Sequence, residues 1–368
     1  MSKKQKITRK EYLKIIIILS IFCCLVILSL PFSNKIESAV NYSYNSKLSF
    51  NVNDCKLKVH FIYVGQGECI AIQLPDGKNM LIDAGLKEYE EELINYLDNE
   101  FFPLTDNKNI DYFIITHPHE DHIGGASALI DKYEIKMCYR PKVYAKGVES
   151  EICNWAVCED DLYVETISKL NAETYNNNPC IINYNDANTR ITGNDYIINY
   201  LTPNLEVYEN LNNYSPIIML TYNEIDILFT GDAEKLIEEE VLDKYDELDI
   251  DILNLGHHGS STSTSLEFLN LTKPESVVIS CGKLNEYGHP SDIVLKRLKE
   301  FGIDDNEIFR TDLCGNIVFG VDDQSAIFCS VDYSKSFYFY YNHSYFDFVV
   351  VSVYAVSIIV LSCKIKQN

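Results

Sequence analysis

The chain has 368 residues, 46% of them hydrophobic, and a formal net charge of −23. That length suits one large domain or two small ones, and the apolar content is ample for a buried core. So acidic a surface repels polyanions and argues against a general nucleic-acid binder, although a bound cation pair reverses the field locally.

An uncharged run from Ile15 to Phe32 follows Lys3, Lys4, Lys6, Arg9, Lys10 and Lys14. The run is long enough to cross a bilayer, and its basic flank places the N-terminus in the cytoplasm. A cleaved signal peptide is the rival, but the run is long for one and no clear A-x-A site follows. Residues 1–33 are therefore predicted as a basic tail and transmembrane helix, and residues 34–55, rich in Ser, Asn and Lys, as a linker. From Leu57 the pattern changes: Leu57, Val59, Phe61 and Tyr63 alternate, a strand signal. Gly65-Gln66-Gly67 turns the chain into a partner strand over 70–74. Pro75-Asp76-Gly77 turns it again, and Met80-Leu81-Ile82 ends at Asp83-Ala84-Gly85. Leu93, Tyr96 and Leu97 share a helical face.

The most informative stretch follows. The apolar run Tyr112-Phe113-Ile114-Ile115 leads into Thr116-His117-Pro118-His119-Glu120-Asp121-His122-Ile123-Gly124-Gly125, and a helical pattern leads out over 123–133. This reads as a buried strand ending in a polar loop at a helix start. Three of the eight histidines crowd that loop beside carboxylates. Neutral imidazoles and carboxylates are the ligands of a borderline divalent cation such as zinc. Burying so many without a cation is costly.

Residues 150–215 are rich in Asn and acids; an irregular helix near 162–170 and short strands are predicted there. Ile217-Ile218-Met219-Leu220 and Ile227-Leu228-Phe229-Thr230 suggest a hairpin around Asn223-Glu224, followed by an acidic surface helix over 233–245. Strand–helix alternation continues through 250–255, 276–280, 291–301 and 317–321. Strands grouped early and late, each with helices, imply two packed sheets with helices outside. A second uncharged run, Phe348 to Cys363, precedes Lys364 and Lys366. It predicts another transmembrane helix over 346–363, and with basic tails on one side the 56–335 domain lies outside the cell.

The spacing His117-x-His119-x-Asp121-His122 resembles the signature of the metallo-β-lactamase superfamily. Gly124-Gly125, Gly65-Gln66-Gly67-Glu68 (there usually ending in Asp), Leu255-Gly256-His257-His258-Gly259-Ser260-Ser261, Tyr287-Gly288-His289-Pro290 and Arg310-Thr311-Asp312-x-x-Gly315 extend the likeness to one branch. That branch is the extracellular hydrolase domain of the ComEC/Rec2 competence proteins, and the likeness runs from about Leu57 to about Gly320. The resemblance implies an α/β fold, the four-layer αββα sandwich, and two divalent metal ions, Zn2+ with Mn2+ as the other candidate. The implied metal ligands are His117, His119, Asp121, His122, Asp232 and His258. Asp232, in Thr230-Gly231-Asp232-Ala233-Glu234, matches the aspartate that bridges both ions. One carboxylate can do so when the ions stand about 3.5–4 Å apart.

Three residues carry implied catalytic roles. Asp121 would take or position a proton of the attacking water. His257 would sit beside the ligand His258 as a donor or as proton source to the leaving group, the order within the pair being open. His289 would bond a substrate phosphate or act as general acid, with a structural turn histidine as the alternative. Asp83 is expected to orient a ligand imidazole without binding metal, Arg310 to form a structural ion pair, and Gly65 to Glu68 to serve as a turn near the site and little more. One departure stands out. The wider superfamily has a further histidine between the loop and the bridging aspartate, and here none lies between His122 and Asp232. Asn212-Asn213-Tyr214-Ser215 stands there instead. The first site thus keeps His117, His119 and Asp232, with an Asn oxygen or water, and would bind metal more weakly or prefer manganese.

These implications describe a membrane-anchored extracellular hydrolase, a phosphodiesterase or nuclease acting on DNA, single strands included, with an unidentified membrane partner. The rival enzyme is a cell-surface phosphodiesterase of a small or wall-bound ester such as phosphorylcholine, which the acidity favours. The missing histidine lends weight to a third reading, a non-catalytic membrane-tethered binding module. The twelve cysteines are scattered. Cys23, Cys24 and Cys363 fall in the apolar ends, and Cys153 and Cys158 are close enough to pair in an oxidising compartment. The absence of C-x-x-C argues against a zinc ribbon.

Overall fold

Apolar and β-branched runs in the first third of the chain form β1 (Leu57–Phe61), β2 (Ile70–Gln73), β3 (Asn79–Ile82), β4 (Tyr112–Ile114) and β5 (Met137–Arg140) in a computed structural model. The structure describes residues 55–105, 107–149, 155–205 and 207–331. The transmembrane helices predicted over 1–33 and 346–363, the linker up to residue 54, and Cys153 lie outside these residues. Among the described residues no helix is long and apolar enough to cross a membrane, and Cys158 is a buried free thiol.

Short strands follow: β6 (Val143–Ala145), β7 (Ala156–Cys158), β8 (Thr174–Tyr175) and β9 (Asn178–Pro179). Then come β10 (Ile181–Tyr184), β11 (Arg190–Thr192), β12 (Tyr196–Tyr200), β13 (Ile218–Tyr222) and β14 (Ile225–Phe229). The last are β15 (Ile252–Asn254), β16 (Ser276–Ile279), β17 (Ile308–Arg310), β18 (Ile317–Val321) and β19 (Ile327–Cys329). One sheet has eight strands in the order β10-β5-β4-β3-β2-β1-β18-β19; the other has seven, β11-β12-β13-β14-β15-β16-β17. The hairpin predicted around Asn223 forms, with Tyr222 opposite Ile225.

The sheets meet face to face through aromatic pairs. Phe61 of β1 lies 6.4 Å from Phe229 of β14, Phe319 of β18 lies 5.1 Å from Phe309 of β17, and Tyr139 of β5 lies 5.7 Å from Tyr200 of β12. Every residue of β1, β2 and β3 is buried, so the outer faces are covered as well. Helices Glu90–Tyr96, Ala126–Lys132 and Asp161–Ala172 form one packed group, and Lys235–Leu242, Leu266–Thr272 and Asp292–Phe301 another. This is the αββα layering expected.

Helix starts follow their caps. Asp160 accepts from the Leu162 and Tyr163 N–H groups, and Ser291 from Val294. The continuous helix expected over 123–133 is instead two, Glu120–Ile123 and Ala126–Lys132. At the break, Gly124 lets the chain pass close to Lys87, whose backbone nitrogen a Cβ would overlap. The helix expected over 233–245 is shorter, Lys235–Leu242, because its first residues belong to the loop that carries Asp232.

Two parallel runs, β3-β4-β5 and β14-β15-β16-β17, set the site's position. Asp83 follows β3, the histidine loop follows β4, Asp232 follows β14, His257 and His258 follow β15, and His289 follows β16. Parallel strand ends of this kind are where α/β folds gather ligands.

His60 stands apart from that rim. It is fully buried on β1, with its Nδ1 2.8 Å from the Tyr96 hydroxyl and its ring 5.2 Å from Phe101. Burial, aided by the nearby Lys58 charge, pushes its pKa down to about 3. The folded state thus keeps His60 neutral, while an unfolded imidazole takes up a proton below about pH 6.5. The stability this contributes is complete above pH 6.5 and is lost as pH falls toward 3. A His60→Phe variant should lose less stability than the parent between pH 6.5 and 4 in urea unfolding; parallel losses would show that His60 carries no share of the acid sensitivity.

Candidate metal centre

The histidine loop is held by one buried carboxylate. Asp83 Oδ1 accepts from the Thr116 N–H at 2.8 Å, and Oδ2 accepts from the Thr116 hydroxyl and from His122 Nδ1–H, each at 2.6 Å. Asp83 itself has a left-handed backbone, φ 57, and its N–H donates to the Ile114 carbonyl at 2.8 Å. Both ends of the loop are therefore fastened to the end of β3.

Tautomers follow from these partners. The Thr116 hydroxyl gives its proton to Asp83, so towards His117 Nδ1, 3.1 Å away, it can only accept. Ser215 Oγ, 3.2 Å from the same nitrogen, takes the Asp232 N–H at 3.1 Å. His117 accordingly carries its proton on Nδ1. His258 donates Nδ1–H to the Ser280 carbonyl at 2.8 Å. In His117, His122 and His258 alike, Nδ1–H points outward and the bare Nε2 points into the site.

The inward atoms sit at one spacing. His122 Nε2 is 3.3 Å from His258 Nε2 and 3.1 Å from Asp232 Oδ1. His258 Nε2 is 3.5 Å from Asp232 Oδ1 and 3.3 Å from Asp121 Oδ2. Zinc bonds of about 2.0–2.1 Å at tetrahedral angles put neighbouring ligand atoms roughly 3.3 Å apart. A second group, His117, His119 and Asp121, lies beside the first: His117 Nε2 is 3.0 Å from His119 Nδ1 and 3.8 Å from Asp232 Oδ2. Asp232 thus turns one oxygen toward each group. Its Oδ1 is buried and receives no hydrogen bond among the described residues. Lone pairs facing each other around a bare buried oxygen are what a cation would satisfy, and the donor set of imidazoles and carboxylates fits such an ion.

The charges agree. Burial alone would raise the Asp232 pKa, yet His122, His258 and His117 hold it well below the usual carboxylate range. Burial opposes a charge on His258, but Asp232 and Asp121 lift its pKa to about 9.

All seven residues expected to bind or orient metal converge here: His117, His119, Asp121, His122, Asp232 and His258 in the two groups, and Asp83 behind His122. His119 is exposed and Asp121 half-buried, so the centre opens to solvent on their side. Of the paired histidines, His258 lies inside the quartet. His257 stands at its rim, Nε2 3.6 Å from Asp232 Oδ2 and Nδ1 3.1 Å from the Thr262 hydroxyl. Both have left-handed backbones, φ 51 and 54, conformations that cost non-glycine residues energy and gather at functional sites. His289 reaches the same rim, its ring 5.6 Å from that of His257. Arg310 makes the expected ion pair, Nε and Nη2 donating to the two oxygens of Asp312 at 2.9 and 2.7 Å. The Asn213 oxygen, a candidate for the first site, accepts from the Glu234 N–H at 3.4 Å.

Gly65 to Glu68 do more than turn the chain, which corrects the expectation. A Cβ on Gly67 would overlap the Asp121 carbonyl oxygen, so glycine allows the turn to seat Asp121. Gln66 accepts from the Gly282 N–H at 2.8 Å and presents its amide nitrogen 3.5 Å from His289 Nδ1. Glu68 is buried behind His122 and Asp83, with Oε2 accepting from Asn254 at 3.0 Å and burial pushing its pKa up to about 7. Thr116, Ser215 and Glu68 lie inside stretches that the sequence singled out, but their bonds to Asp83, His117 and Asn254 were not foreseen.

Residues 62–283 match the Metallo-beta-lactamase superfamily, and the chain belongs to that family, whose members are generally metal-dependent hydrolases. Within it, the chain is similar to competence proteins. ComE operon protein 3 of Bacillus subtilis is 26% identical over 283 residues, 74% of this chain and 34% of that protein. Recombination protein 2 of Haemophilus influenzae is 27% identical over 252 residues, 66% of this chain and 26% of that protein. Competence protein ComA of Neisseria gonorrhoeae is 44% identical over 96 residues, 26% of this chain and 14% of that protein. The matches span about a third of these relatives' length or less.

Asp83→Asn would set an amide where three donors converge. Metal affinity should fall about 10–100-fold, measured by competition with a chromogenic chelator. Unchanged affinity would mean that His122 is oriented by something else.

Proposed function

We propose that this chain is a metal-dependent phosphodiesterase that cuts DNA, anchored in the cell membrane with its catalytic domain outside the cell. One observation carries the reading: three histidines with Nδ1–H bonded outward aim bare Nε2 atoms at a carboxylate that divides its oxygens between two donor groups. His122, His258, Asp121 and one oxygen of Asp232 would hold one divalent cation. His117, His119 and the other oxygen would hold a second, zinc being the first candidate and manganese the next. When bound, such a pair polarises a phosphoryl oxygen and makes water a better nucleophile.

The chain's own residues supply the rest. Asp121 is the solvent-side carboxylate of the quartet and is placed to take a proton from an attacking water. His257 and His289 line the rim where a leaving oxygen would emerge. The Gln66 oxygen is engaged by Gly282, so its NH2 faces His289 Nδ1. That leaves the His289 N–H on Nε2, free to hydrogen-bond a phosphate oxygen. Burial and the neighbouring His257 and His258 lower the His289 pKa, which favours this neutral hydrogen-bond donor over a general acid. Similarity to competence proteins supports DNA as the substrate, and the uncharged runs at both ends of the chain support membrane anchoring.

The test is hydrolysis of labelled single-stranded DNA beside a nitrophenyl phosphorylcholine ester, with Zn2+ or Mn2+. DNA should be cut, and His119→Ala should abolish the cutting. Full turnover in that variant would sink the mechanism, and cleavage of the choline ester alone would favour a small-ester enzyme. Intact cells carrying the chain should cut added DNA; activity only after lysis would place the domain inside.

A further inference from the structure

We infer that Tyr287 is a stacking platform for the nucleobase next to the scissile phosphate, which makes the preferred substrate a single strand with exposed bases. The inference rests on the phosphodiesterase reading and adds the part of the substrate that reading leaves open.

The geometry comes first. Tyr287 is 74% exposed, yet its ring is not loose: it stacks on His289 with centroids 5.8 Å apart and planes 26° apart. His289 meets the His257 ring at 5.6 Å, and His257 Nε2 lies 3.6 Å from Asp232 Oδ2. Two ring contacts and one polar contact thus link the tyrosine to the carboxylate that faces both donor groups.

The supporting loop is built to hold it there. The Asn285 side chain donates to the Gly282 carbonyl at 2.9 Å and accepts from the His289 N–H at 2.9 Å, tying the loop across its own width. Gly288, with φ +68, supplies the left-handed turn between Tyr287 and His289 that other residues adopt at a cost. Leu284 projects from the same loop and is 73% exposed. A ring on a braced loop that already leans on one neighbour gives up less freedom on binding than one on an open loop.

Charge points the same way. Proteins that bind polyanions usually draw their affinity from basic surface, and this chain has a net charge of −23. Base–aromatic stacking works without surface charge and tolerates any sequence, because every base has a flat face. Bases inside a duplex are already stacked on both sides, so a platform of this kind selects unpaired ones.

The test compares oligothymidine with a base-free phosphodiester oligomer of equal length, using the full chain with Mn2+ or Zn2+. Wild type should prefer oligothymidine in kcat/KM. Tyr287→Ala should raise KM for oligothymidine roughly ten-fold and collapse the preference, while Tyr287→Phe should retain it. If Tyr287→Ala cuts both oligomers with the wild-type preference intact, the platform is refuted and the phosphodiesterase reading survives. If wild type cuts neither oligomer, that reading fails and the platform falls with it.

Discussion

One carboxylate orders the centre. Asp83 takes three hydrogen bonds from the histidine loop, two from Thr116 and one from His122. Those bonds fix the start of the loop, the rotation of the His122 ring and the position of its proton. The Thr116 hydroxyl, committed to Asp83, can then only accept from His117, so the same carboxylate sets the His117 tautomer at one remove. Burial raises the Asp83 pKa against the pull of His122. An isolated acid there would be costly; one satisfied by three donors, one of them an imidazole, is not.

The backbone shares in this arrangement. Asp83, His257 and His258 all adopt left-handed conformations without being glycine. In the paired histidines, the His257 N–H donates to the Gly231 carbonyl at 2.9 Å, and the His257 carbonyl accepts from the Ser260 N–H at 2.8 Å. The loop carrying Asp232 thereby braces the loop carrying His258. Local strain is held by hydrogen bonds between the elements that supply the donor atoms, so their relative position does not depend on side-chain packing alone.

Much of this was legible in the residues. Alternation revealed β1, the Asn223 turn revealed β13 and β14, and the helices near 162–170 and 291–301 were foreseen, though their caps at Asp160 and Ser291 were not. The histidine loop carried its chemistry in its residues, and the resemblance to the superfamily pointed to Asp232 and to one of the pair His257 and His258. Other features could not be read. β17 and β19 have three residues each, too few to show a period. Ser215 acts through His117, 98 residues away, and Glu68 through Asn254, 186 residues away; hydrogen bonds over such separations leave no local pattern. Gly124-Gly125 was visible, but the close approach of Lys87 that makes glycine necessary exists only in three dimensions.

The donor atoms are divided between the two sheets: His117, His119, Asp121 and His122 hang from β4, while Asp232 and His258 hang from β14 and β15. An ion gripping both sets would act as a clasp across one edge of the sandwich, adding to the apolar contacts such as Phe61 with Phe229 and the hydrogen bonds such as Asn254 to Glu68 that already join the halves. Loading the ion would then tighten that edge as well as complete the centre, so stability and activity would rise together with the ion's supply.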